Sequence, residues 1–171
     1  MPASPDPSTP PSLQVAQELI DRFLDSIDPA FRAGGAHVDD DEVHRRNVAL
    51  LHGVFEAVGL GDFEAYGRTC HEDVTLEIAG SSSVPFLGTW EGRAEVVDAT
   101  RRNFGMLESQ QPEIRSLAAQ GDHVVVVMRE TGRYIATGDP YAYHSAVVFT
   151  FEDGLVRRIR EFIADGPPAV A

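Results

Sequence analysis

The chain has 171 residues, of which 43% are hydrophobic and 24% charged, which is ordinary for a globular protein with one domain and a buried core. Its formal net charge of −13 repels phosphate backbones and anionic lipid, which argues against nucleic acid and membranes as partners. Cys70 is the only cysteine, so an intrachain disulfide is impossible.

The sequence predicts a cytoplasmic protein. No apolar run reaches the roughly 18 residues that cross a membrane. The first residues are rich in Pro and Ser and lack the basic region and apolar core of a secretion signal.

The N-terminal quarter is predicted to lie outside the main domain. Residues 1–11 are Pro- and Ser-rich and favour a disordered tail. Residues 12–42 are predicted to form an extra helix, with apolar residues at helical spacing from Leu13 to Ile27, and then an acidic linker. Whether this segment docks onto a partner or covers a pocket stays open.

Two further helices and a strand come next. The apolar stripe of the first helix ends at Gly59 and Gly61. Its members are Asn47, Leu50, Leu51, Val54, Phe55 and Val58. Asp62 is predicted to cap a short helix over residues 63–70, before an alternating strand at residues 74–78.

The rest of the chain predicts one more helix and then a run of strands. Gly92 precedes a helix at about residues 93–107, and strands are expected at residues 114–119, 123–134, 141–151 and 155–163. The dipeptide Asp153-Gly154 is a strong signal for a hairpin between the last two. Helices followed by antiparallel strands indicate an α+β fold, with a main domain at residues 43–165 and a tail at 166–171.

Several pieces in this order resemble the nuclear transport factor 2-like superfamily, in its SnoaL-like polyketide cyclase and limonene epoxide hydrolase-like branch. The pieces are Gly61-Asp62-Phe63, His71-Glu72-Asp73-Val74, Gly88-Thr89-Trp90-Glu91-Gly92-Arg93-Ala94-Glu95-Val96, Arg129-Glu130-Thr131-Gly132 and Phe149-Thr150-Phe151-Glu152-Asp153-Gly154-Leu155-Val156. The resemblance implies a cone-shaped, curved antiparallel sheet packed on N-terminal helices, which is also described as cystatin-like. It further implies an apolar pocket for a small-molecule ligand and a homodimer through the outer sheet face.

The resemblance also implies a catalytic pair. It places the pocket acid on Glu161 and the pocket arginine on Arg129. Because side chains alternate along a strand, an inward Arg129 puts Val125, Val127 and Thr131 on the pocket side as well. Glu161 is expected to act as acid and base with Arg129 as its electrostatic partner, and a structural ion pair is the alternative.

Further residues are expected to bind substrate or to lie on the outer face. Hydroxyl groups are expected in the pocket from Tyr143, Ser145, Thr131 and Tyr66, an aromatic ring near its mouth from Trp90, and apolar walls from Leu76 and Ile78. The predicted outer face carries His144 and Glu77. The predicted dimer interface consists of Val124, Val126, Met128, Ala146 and Val148, with Glu130 pairing to Arg158 or Arg160.

The reaction is less constrained than the fold. The positions at which ketosteroid isomerase carries its polar groups hold Val54, Ile78 and Val147 here, so that chemistry is not supported. The six histidines show no metal-binding spacing, no nucleotide-binding loop is present, and no cofactor or metal is expected. The sequence favours a cofactor-independent cyclase, isomerase or hydrolase acting on an apolar or polyketide-like substrate. A non-catalytic ligand-binding or dimeric assembly domain is the alternative.

Overall fold

The computed structural model describes residues 40–166, so the predicted N-terminal tail, the extra helix and nearly all of the linker lie outside the described residues. In chain order the elements are α1 (Asp40–Gly59), α2 (Phe63–Thr69), β1 (Cys70–Gly80), β2 (Gly88–Glu91), α3 (Arg93–Phe104), β3 (Leu107–Gln120), β4 (His123–Tyr134), β5 (Pro140–Glu152) and β6 (Leu155–Asp165). These elements confirm the predicted α+β class.

The strands form one six-stranded sheet in the order β2-β1-β6-β5-β4-β3. All neighbours are antiparallel except β1 and β6, which run parallel. The sheet is therefore mixed, whereas an antiparallel sheet was predicted. The chain leaves β1, builds the other strands and returns beside it in the same direction.

Two boundaries differ from the sequence expectation. The predicted third helix stops at Phe104, and Leu107 already begins β3, which runs through Pro112. A proline is tolerated there because β3 is the edge of the sheet, where part of the backbone has no strand to bond. The segment Gly88–Glu91, for which no strand was predicted, pairs with β1 as a short edge strand.

The turns and caps follow the predicted chemistry. Asp153 and Gly154 both adopt positive φ, at 50° and 77°, as the hairpin between β5 and β6 requires. Asp62 caps α2 by accepting a hydrogen bond of 2.8 Å from the backbone N–H of Ala65. Asn47, in the apolar stripe of α1, is buried and donates a 3.0 Å hydrogen bond to the carbonyl of Gly121 in the β3–β4 turn.

The predicted facing of β4 is wrong. Val124, Val126 and Met128 are buried in the core and not in an interface. The register pairs Met128 with Ser145 without interruption, so the alternate residues of β4 lie on the opposite, outer face. The outer face therefore holds four residues that were predicted to face the pocket: Val125, Val127, Arg129 and Thr131. A shift of one residue reverses every side chain of a strand, and the run of four valines offers no polarity contrast to reveal it.

Two glycines offer a matched test of packing. A Cβ on Gly80 would lie 2.0 Å from the carbonyl oxygen of Ile163 on β6, whereas a Cβ on Gly53 in α1 meets nothing within 4 Å. We expect Gly80→Ala to lower the free energy of unfolding by about 2 kcal/mol or more, because β1 and β6 must separate. Gly53→Ala should raise it by about 0.5–1 kcal/mol, because alanine favours helix.

Denaturant unfolding of the two variants and the original chain measures both effects. If Gly80→Ala is as stable as the original protein, the close approach of β1 and β6 at this point is wrong.

Candidate active site

A cavity of about 150 Å³ lies between the helices and the concave face of the sheet. Its wall is mostly apolar, with side chains from all three helices and from the central strands. Two carboxyl groups, those of Glu130 and Glu161, are placed in this wall. The cavity is the natural candidate for a functional site because it combines an apolar enclosure with a few ionisable groups.

Glu161 is held in apolar surroundings by the register of β6. Along its own strand, Ile159 and Ile163 are the inward neighbours, and across the sheet it lies opposite Ile78 on β1 and Val147 on β5. Burial disfavours the charged form and raises the pKa of Glu161 to about 7. The negative charge of Glu130 adds to this rise, while a hydrogen bond from Ser145 opposes it.

Glu130 is the site residue that the sequence analysis assigned to the wrong face. It lines the cavity and accepts hydrogen bonds from the Tyr141 hydroxyl at 2.5 Å and from the Gln110 side-chain amide at 3.4 Å. Burial raises its pKa, and these two donors partly offset the rise. Glu130 lies directly opposite Tyr143 on β5, and Tyr143 was predicted to face the pocket. The register of the β4–β5 hairpin would therefore have identified Glu130 as a pocket residue.

Tyrosines supply most of the hydroxyl groups near the site. Tyr143 lines the cavity, stacks on Tyr141 with ring centroids 4.6 Å apart, and its hydroxyl contacts that of Tyr134. The Tyr66 hydroxyl, on α2, lies 3.5 Å from Thr100 Oγ1 on α3. Burial raises the pKa of Tyr66 and of Tyr143, so both remain protonated donors at neutral pH.

The structure brings together most of the predicted site residues. The cavity wall includes Glu161, Tyr143, Ser145, Tyr66, Leu76 and Ile78. The three apolar positions noted against ketosteroid isomerase chemistry, Val54, Ile78 and Val147, also line it. The roles assigned to these residues stay predictions.

Three predicted site residues do not line the cavity. Arg129 lies opposite His144 in the register, on the outer face of the sheet, and Thr131 shares that face. Trp90, on β2, lies opposite Leu76 of β1 and packs against the core outside the cavity. The expected Glu161–Arg129 pair is therefore wrong, because the two side chains point to opposite sides of the sheet.

Apart from Glu130, the outer face holds the charged residues that were predicted there. Glu77 accepts a hydrogen bond of 2.9 Å from Arg160 and lies 3.5 Å from Arg158. Glu77 thus takes the pairing role that was predicted for Glu130. His144 is exposed on this face, as predicted.

The cavity lacks a positive charge among the residues that the structure describes. No Lys, Arg or His of the segment 40–166 lines it. Within the same segment, no group of three or more His, Cys, Asp or Glu side chains could hold a metal ion. An acid in such surroundings holds a proton near neutral pH and can exchange it with a bound molecule.

Comparison with known proteins gives a consistent family relationship. The model of the SnoaL-like domain matches residues 51–159. No match to the chain was found among curated proteins. None of the helices in the described part of the chain is long and apolar enough to cross a membrane.

Solved structures show the same fold. An NTF2-like protein from Burkholderia xenovorans LB400 is 27% identical with a TM-score of 0.61, over 70% of this chain and 90% of that one. A protein described as a SnoaL-like polyketide cyclase, from Jannaschia sp. CCS1, is 18% identical with a TM-score of 0.63, over 76% and 91%. An LEH-like epoxide hydrolase from M. tuberculosis is 15% identical with a TM-score of 0.57, over 70% and 84%.

The raised pKa of Glu161 predicts how stability depends on pH. The folded protein binds this proton more tightly than the unfolded chain, so the contribution of Glu161 becomes unfavourable as pH rises from about 4.5 through about 7. We expect Glu161→Gln to leave stability nearly unchanged at pH 4.5. At pH 8 it should increase stability, by at most about 3 kcal/mol.

Denaturant unfolding at both pH values tests this prediction, with Glu56→Gln on the exposed side of α1 as the control for loss of one negative charge. A stability difference between Glu161→Gln and the original protein that is the same at both pH values would show that Glu161 titrates normally.

Proposed function

Because the chain belongs to the SnoaL-like family, we propose that it is a cofactor-independent enzyme that moves a proton on a small, largely apolar substrate. The reaction class is isomerisation, cyclisation or addition of water. The observation that carries this proposal is Glu161, a carboxyl group with a pKa of about 7 inside an apolar cavity without a basic partner among the described residues. A group that titrates near neutrality serves as both acid and base.

The proposed mechanism assigns separate tasks to the polar groups of the wall. Glu161 takes a proton from a substrate carbon or from water, and returns it to another atom of the same substrate. Tyr66 and Tyr143 donate hydrogen bonds to an oxygen on which negative charge develops, while Ser145 donates to Glu161. Such donors act strongly because the apolar walls exclude water from the site.

Glu130 sets the charge of the site in this proposal. Its own hydrogen bonds come from Tyr141 and Gln110, which fix its carboxyl group in place. When ionised, it keeps the pKa of Glu161 high by repulsion. It thereby keeps Glu161 a stronger base than an ordinary carboxylate.

Support from related structures is limited to the reaction class. Proteins of this fold include one described as a polyketide cyclase and one described as an epoxide hydrolase.

The proposal can be tested without knowing the natural substrate. The probe 5-nitrobenzisoxazole opens to a coloured phenolate when a base removes its ring proton, and it is small enough for an apolar cavity of this size. We expect wild-type protein to catalyse this opening, with kcat/KM rising through an apparent pKa of about 7. Glu161→Gln should lower kcat/KM by about 100-fold or more.

The matched control is Glu77→Gln, which removes a carboxylate from the opposite face of the adjacent strand β1. It should retain the wild-type rate. A Glu161→Gln variant that stays folded and keeps most of its activity would overturn the assigned role of Glu161.

We further propose that the chain forms a homodimer through the outer face of the sheet. Two large apolar side chains are exposed there, Val127 at 38% and Phe162 at 43%. Around them lie half-buried Val125, Ala146 and Val148. A patch of this kind, rimmed by the charges of Glu77, Arg158 and Arg160, is typical of a subunit interface.

A charge placed in this patch should separate the subunits. We expect the original protein to sediment as a dimer and Phe162→Glu as a monomer, because the substitution replaces a large apolar side chain of the patch with a carboxylate that must lose its water when the patch is covered. Leu60→Glu is the control, since Leu60 is also 43% exposed but follows α1, away from the sheet. Monomeric behaviour of the original protein in sedimentation velocity would rule out the proposed dimer.

A further inference from the structure

The charge of the cavity is unbalanced. The titratable groups that face Glu161 are Glu130 from β4, Tyr143 from β5 and Tyr66 from α2, and each of them is an acid. From β1 and α1 the wall receives apolar side chains, and no basic residue of the segment 40–166 lines it. A buried carboxylate without a cation is costly, so a bound cation would be stabilised strongly in this cavity.

Aromatic rings form much of the remaining wall. The rings belong to Phe55, Tyr66, Phe86, Phe104, Tyr143 and Phe149. The face of an aromatic ring attracts a positive charge, and the attraction is stronger when water is excluded. Alkylammonium ions exploit such walls better than small metal ions do, because their methyl and methylene groups also bury apolar surface.

One buried polar atom in the residues of the wall, a side-chain nitrogen, has no hydrogen-bond partner within the described part of the chain. Asn103, on α3, is 7% exposed, and its side-chain nitrogen makes no hydrogen bond within the described part of the chain. A buried amide donor without an acceptor is unfavourable. An oxygen atom on a bound molecule would satisfy it.

We infer that the cavity binds a small organic cation that carries an alkylammonium group and an oxygen atom, as in an amino alcohol or an amino ketone. The ammonium group pairs with Glu161 and Glu130 and contacts the aromatic rings, while the oxygen accepts a hydrogen bond from Asn103. This inference rests on the same cavity as the proposed function and names its ligand class. The formal net charge of −13 adds a long-range attraction for cations.

Two probes of the same shape test the charge requirement. Choline carries a quaternary ammonium group, and 3,3-dimethylbutan-1-ol replaces its nitrogen by carbon. By titration calorimetry at pH 8, we expect choline to bind at least about tenfold more tightly than the neutral alcohol. At pH 7, choline should also release protons from Glu161, which calorimetry in buffers of different ionisation heat detects.

Variants separate the contributions of the two contacts. Glu161→Gln should reduce the advantage of choline, because one of its two carboxylate partners is lost, and should leave the binding of the neutral alcohol unchanged. Asn103→Leu should weaken both probes and spare tetramethylammonium, which has no oxygen. Equal or tighter binding of the neutral alcohol to wild-type protein, or no saturable choline binding up to about 10 mM, would overturn the inference.

The proton-transfer assay with 5-nitrobenzisoxazole distinguishes this failure from failure of the proposed function. If wild-type catalysis depends on Glu161 but choline is not preferred, the inferred ligand class is wrong and the proposed function stands. If choline is preferred but the Glu161→Gln variant keeps full activity, the catalytic role of Glu161 is wrong and the inferred ligand class stands.

Discussion

The ladder of β4, β5 and β6, which is continuous over residues 143–150 of β5, determines which side chains meet inside this protein. Residues directly opposite one another share a face, so the pairing of Val126 with Val147, and of Val147 with Glu161, places one row of side chains over the helices. The same pairing sends Arg129 and His144 to the other side. The acid–base character of the cavity and the apolar patch outside both follow from this single choice of register.

The cavity is maintained at the expense of stability. Apolar neighbours and a second carboxyl group raise the pKa of Glu161 in the folded protein. Near neutral pH the carboxyl group therefore ionises more readily in the unfolded chain, which favours unfolding. A leucine at this position would pack against Ile78 and Val147 without that penalty. Proteins retain such unfavourable groups where chemistry or binding requires them, which is why the carboxyl groups, more than the fold, indicate a function.

The fold could be predicted from the sequence because its signals are local and repeated. The stripe of α1, the cap at Asp62 and the turn at Asp153-Gly154 each favour one local structure, and all of them are present. Glu161 was also placed correctly in the cavity wall by the family resemblance, and Ile159 and Ile163 share its face of β6. The alternation of these isoleucines with Arg158 and Arg160 agrees with that placement.

The failures occurred where local sequence carries no such contrast. In β4 a run of valines fits either facing, so a single arginine was used to choose between them, and the choice was one residue out of register. The register between β4 and β5 depends on the loop that joins Tyr134 to Pro140. The alternation of residues within either strand does not specify it. The parallel contact of β1 with β6 was missed for a similar reason, since it joins segments far apart in the chain.

That parallel contact also orders the assembly of the protein in time. Ile78 and Glu161 face each other across β1 and β6, yet 82 residues lie between them in the chain. The wall that holds the acid therefore cannot form until nearly all of the described chain has been synthesised, whereas the hairpin of β5 and β6 can form locally. During synthesis β1 has an unpaired edge, and the carboxyl group of the final strand becomes desolvated only when that edge is filled. Completion of the fold and burial of this carboxyl group are thus a single event.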